Sequence, residues 1–143
     1  MTTLNNQNLL QLRFVSQAHI DAVKPSFANL PANPYADGEF RKRRYSVIKV
    51  VDGELKLQPT KAFVQDDSIN TFQGNVERTY ENLEDSLLAT DGMKQIVNQF
   101  RDMTGISDDR DIEIHQFRML AIDSDTPAAP EGVHQDGFDH VCV

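Results

Sequence analysis

Cysteine is nearly absent: Cys142 is the only one in 143 residues, so no disulfide can form within the chain. A single thiol suits a reducing compartment, and a cytoplasmic location is the expectation. Basic residues are also scarce, with 14 Lys and Arg against 22 Asp and Glu and a net charge of -8. Phosphate binding calls for a positive surface, so no nucleic-acid partner is expected. The one dense basic run, Arg41-Lys42-Arg43-Arg44, reads as a solvated strand edge or a set of ion pairs. No apolar run approaches a membrane span, and the opening Met1-Thr2-Thr3-Leu4-Asn5-Asn6-Gln7 has neither the basic region nor the apolar stretch of a signal peptide, so no membrane partner is expected. Repeats and low-complexity tracts are missing too. What is there is 39% hydrophobic content in 16.2 kDa, enough for a core, and residues 1–143 read as a single domain.

The apolar residues are patterned. Residues 45–51 are β-rich and run into Asp52-Gly53, a pair that favours a two-residue type I′ turn; 54–58 returns the strand, completing a hairpin. Thr90 or Asp91 caps a helix in which Met93, Ile96, Val97, Phe100 and Met103 recur at helical spacing, with Gly105 placed to end it. That stripe is packing, and the helix covers a sheet. Residues 111–122 read as a long strand, with Ile112, Ile114, Leu120 and Ile122 on one face and Glu113, His115, Phe117 and Met119 on the other. The second face mixes polar with apolar groups, which suits a pocket wall. His115 is read there as a satisfied, partly buried side chain rather than a metal ligand.

Earlier, an amphipathic segment carries Leu9, Leu10, Leu12, Phe14 and Val15, and a short helix follows that should fail near Lys24, because Pro25 disfavours helix in the residue before it. Residues 29–38 read as a loop, 61–65 as an extension of the sheet, and 69–81 fit no single element. Helices early and strands afterwards give an α+β arrangement in which mostly antiparallel strands curl around a site.

The strongest chemical signal lies in Pro130-Glu131-Gly132-Val133-His134-Gln135-Asp136-Gly137-Phe138-Asp139-His140-Val141. On a strand, residues i and i+2 share a face, so His134 and Asp136 would converge on one point. One imidazole and one carboxylate are two thirds of the facial triad that holds non-haem Fe(II). The spacing alone is weak: four His and fifteen Asp in 143 residues yield about 0.4 such pairs by chance. Indeed His19 and Asp21 share it, but in a helical stretch, where i and i+2 lie roughly 200° apart and cannot chelate one ion. The C-terminal pair differs by its frame: a Pro-Ala-Ala-Pro approach, Gly132 and Gly137, and interleaved Val133 and Phe138. As a third ligand, His140 would sit about 13 Å from Asp136 along an extended strand, out of reach unless the chain turns at Gly137. A surface His beside Asp139 is the expectation. His115 from a neighbouring strand and the Cys142 thiolate are the other candidates, and neither is taken as the ligand.

The ordered segments Arg41-Lys42-Arg43-Arg44-Tyr45 after the Pro34-Tyr35 loop, Asn70, Gly74, Arg78 and Tyr80, Ile114-His115-Gln116-Phe117-Arg118, Pro130-Glu131-Gly132 and His134-Gln135-Asp136-Gly137 carry a resemblance. Together they resemble the 2-oxoglutarate and Fe(II)-dependent dioxygenase family that includes L-isoleucine 4-hydroxylase and other free amino acid hydroxylases. The resemblance implies a double-stranded β-helix, or jelly roll, with flanking helices. It implies His134 and Asp136 as the first two iron ligands, 2-oxoglutarate as co-substrate and a free aliphatic L-amino acid as the molecule hydroxylated. The family sets its third ligand, a His, and an Arg for the far carboxylate of 2-oxoglutarate downstream of His-x-Asp. Here seven residues follow Asp136, so the resemblance implies the N-terminal portion of that fold, with the jelly-roll core incomplete.

Arg43 or Arg44 offers a partner for a substrate carboxylate. Arginines on a strand usually face solvent, however, and that is the expectation for both. Two other readings stay open. One is a non-catalytic partial chain that associates into oligomers through unpaired strand edges. The other is a cupin-like module holding Zn or Ni without redox chemistry.

Overall fold

The computed structural model describes residues 10–35, 40–59, 77–121, 123, 125–126 and 137–143. Helix α1 (Gln17–Val23) continues into a 3-10 turn (Lys24–Asn29), followed by strands β1 (Arg41–Val51) and β2 (Glu54–Leu57), a one-turn helix α2 (Asp85–Leu88), helix α3 (Asp91–Thr104) and strand β3 (Ile112–Met119). The three strands form an antiparallel sheet in the order β2-β1-β3. Mixed helix and antiparallel sheet is the α+β class expected.

Local chemistry explains most of these boundaries. Asp52 and Gly53 both have positive φ, 51° and 78°, the paired left-handed conformation of a type I′ turn, and Val51 lies opposite Glu54 across it. Thr90 caps α3 by accepting a hydrogen bond from the Met93 amide at 3.1 Å, and Gly105, at φ 67°, ends it. At the first helix, Ser16 accepts from the amide of His19, and Pro25 converts the chain to the 3-10 turn just past Val23. The segment before α1 departs from expectation. Leu10, Leu12 and Phe14 form neither helix nor strand and stand 77%, 80% and 92% exposed.

Each face of the sheet buries something different. The even-numbered face of β1 carries Ile48 and Val50, joined by Leu55 of β2 and Ile112 of β3, and packs on Leu83, Leu87, Leu88, Met93 and Val97. Register explains the match: Ile48 lies opposite both Leu57 and Ile112, and Val50 opposite Leu55. Helix α1 lies against α3 at Gly92, where an added Cβ would sit 2.4 Å from the carbonyl oxygen of His19, so only glycine admits this approach. His19 Nδ1 meets Gln95 Oε1 at 2.6 Å in the same contact. The helix reading of His19 and Asp21 therefore holds, with His19 half-buried between two helices.

On its other edge β1 is covered in succession by β2, by Gln58 on Val47, by Glu81 on Tyr45 and by Pro31 on Arg43, through backbone hydrogen bonds of 2.9 to 3.0 Å. So β1 is the central strand and both of its faces are buried. The expected strand at 61–65 lies outside the described residues. Among the described residues no helix is long and apolar enough to cross a membrane.

Candidate functional site

The odd-numbered face of the sheet carries a cluster of polar and aromatic groups. Side chains alternate along a strand, so Arg41, Arg43, Tyr45 and Val47 of β1 share a face with Glu113, His115, Phe117 and Met119 of β3. The register sets Arg43 opposite Phe117, Tyr45 opposite His115 and Val47 opposite Glu113. The alternation expected for β3 is borne out over 112–119. Ile122, at the expected far end, lies outside the described residues.

Diagonal contacts bind this face together. Arg43 Nη2 lies 2.7 Å from His115 Nδ1, and Arg43 Nη1 donates to Tyr80 Oη at 3.2 Å. The guanidinium stacks over the Tyr80 ring, 4.5 Å from its centroid. Tyr45 packs against His115 with centroids 4.7 Å apart and meets Tyr80 edge-on at 6.5 Å; Tyr80 in turn meets Tyr35 edge-on at 5.3 Å. Tyr35 Oη accepts from the Thr79 amide at 2.7 Å, which ties the 29–38 loop to the segment bearing Arg78 and Tyr80. Arg43 is 9% exposed and Arg78 2%.

Electrostatics follow from this packing. Burial, then the positive charges of Arg43 and Arg78, pull the pKa of His115 down to about 3. The imidazole is therefore neutral. A guanidinium can only donate, so Nδ1 accepts from Arg43 and the ring hydrogen resides on Nε2. Burial also pushes the Tyr45 phenol well up, reinforced by its hydrogen bond to Glu113 and by that carboxylate's charge. Tyr45 stays protonated. The face thus joins fixed cations, a neutral imidazole and aromatic rings.

Solvent exposure, expected of both central arginines, is wrong for Arg43. Nor is Arg44 a free charge: on the even face it donates to the Asn82 carbonyl at 2.9 Å and pairs with Glu81 at 3.0 Å and Glu84 at 3.5 Å. That arrangement fastens β1 to the segment leading into α2. Arg43 is buried because an aromatic ring covers it from a segment 37 residues away, a partner that strand periodicity does not reveal. The available signal was the alternation Arg41-x-Arg43-x-Tyr45-x-Val47 running straight into the hairpin.

His115 is partly buried with its ring nitrogen satisfied, as expected. His134 and Asp136 lie outside the described residues. His140 and Cys142 are exposed, and among the described residues no group of three His, Cys, Asp or Glu side chains comes together to hold a metal ion.

A model of the 2OG-Fe dioxygenase family matches residues 24–143. In structure the chain is similar to a bsmA homologue from Methylobium petroleophilum PM1, with a TM-score of 0.61 and 23% identity over 84% of this chain and 51% of that one. An IDO from Bacillus thuringiensis aligns at a TM-score of 0.49 and 21% identity, over 71% of this chain and 44% of that one. The chain spans about half the length of these solved structures. No curated protein matches it.

Proposed function

Because the chain belongs to the 2OG-Fe dioxygenase family, we propose that it serves Fe(II)- and 2-oxoglutarate-dependent hydroxylation of a free aliphatic L-amino acid, with His134 and Asp136 as two of the three iron ligands. The observation that carries this reading is the extent of the family match. Residues 24–143 take in both the His134-x-Asp136 pair and the buried Arg43-His115-Tyr80 face. The donor set fits the metal: an imidazole with a carboxylate suits Fe(II), and the pair leaves coordination positions for co-substrate and O2. When bound, the iron supplies oxidation of an unactivated C–H bond, with O2 and 2-oxoglutarate consumed and succinate, CO2 and the alcohol formed.

The chain's own residues do the rest. Tyr35, Tyr45 and Tyr80 pack edge to face over the sheet, and the burial of Tyr45, Tyr80 and Arg43 strengthens the polar contacts among them. The neutral His115 and protonated Tyr45 give this cluster defined donors and acceptors at any working pH. The sheet β2-β1-β3 belongs, in this reading, to a jelly roll with α1 and α3 as flanking helices. Substrate choice as a free amino acid rests on the family resemblance.

Anaerobic isothermal titration tests the reading. Fe(II) binding that strengthens 2-oxoglutarate binding, both lost in His134→Ala, is the expected result. Tight Zn(II) binding with no effect of 2-oxoglutarate would instead assign a cupin-like metal module. No metal binding together with concentration-dependent association would remove catalysis by this chain altogether.

A further inference from the structure

We draw no further inference here: the strongest candidate, the exposed apolar arm of Leu10, Leu12 and Phe14 that leads into α1 and is tied to α3 where Gln99 donates to the Phe14 carbonyl, carries none because nothing in the structure shows what covers it.

Discussion

One sheet presents two faces that solve burial in different ways. Near the hairpin end of the even face, Ile48, Val50 and Ile112 meet the leucines of 83–88 and the apolar stripe of α3 through non-directional contact, while Arg44, Ser46 and Gln116 further along the same face hold directional partners. On the odd face, Arg43, Tyr45 and His115 are also buried or half-buried, but each is held by a specific directional partner. An apolar face tolerates repacking and specifies little beyond shape. A polar cluster covered by aromatic rings holds particular groups at particular places and so rigidifies the fold around it. The difference is between contact that only fills space and contact that fixes particular groups, and it can be broken or sharpened by substitution.

The largest effect is expected on the apolar face. Ile48 is 0% exposed and lies opposite both Leu57 and Ile112, so it joins all three strands. Ile48→Ala should cost about 2–5 kcal/mol, read as a lower denaturant midpoint at constant slope, and the same loss should appear at every pH. A loss below about 1 kcal/mol would mean that this face is not the main core.

Next in size is Gly92→Ala in the helical layer above that face. The new Cβ meets backbone, 2.4 Å from the His19 oxygen, as well as Val23 Cγ2 at 2.9 Å, so α1 must move off α3. A cost of about 1–3 kcal/mol is expected, with amide exchange quickening in 17–23 before the sheet. Gly53→Ala is smaller and of another kind: no atom lies within 4 Å of the added Cβ, so the cost is the left-handed backbone alone, about 1 kcal/mol. Chemical denaturation of the two variants separates steric from conformational cost.

These same elements show what the sequence could tell and why the rest was hidden. The hairpin turn and the caps of α3 were legible because their causes are local: φ > 0 at Asp52 and Gly53, a hydroxyl at Thr90, a glycine at 105. The two-faced pattern of β3 was legible because period two is visible in residues 112–119 themselves. The true start of β1 at Arg41 rather than Tyr45 was not, since four consecutive basic residues look like a solvated edge until their partners are known. Those partners, Tyr80 and His115, lie 37 and 72 residues from Arg43. Conversely, Leu10, Leu12 and Phe14 carry an apolar pattern that finds no cover among the described residues. The His134-x-Asp136 pair was legible as chemistry, through residue type and spacing, while its placement lies outside the described residues.

The smallest effect at neutral pH, and the sharpest test of the contrast, is His115→Asn. An amide oxygen can replace Nδ1 as acceptor for Arg43, so stability at pH 7 should change by no more than about 1 kcal/mol. Acid separates the two proteins. An unfolded histidine titrates near 6.5, whereas in the fold His115 is pulled down to about 3 by burial and by Arg43 and Arg78. Between those values the unfolded chain holds a proton that the folded chain lacks, so protons favour unfolding. The stability contributed by neutral His115 is complete above about 6.5 and is lost progressively as pH falls towards 3. Carboxylates shared by both proteins titrate in the same range, so the informative quantity is the difference between the two stability curves. That difference should grow in favour of the variant as pH is lowered, because Asn has no proton to bind. In Ile48→Ala the wild-type slope should persist, since its apolar cluster contains nothing that titrates. Parallel curves for wild type and His115→Asn from pH 7 to 4 would show that the imidazole is not held neutral, and the directional account of the odd face would lose its support.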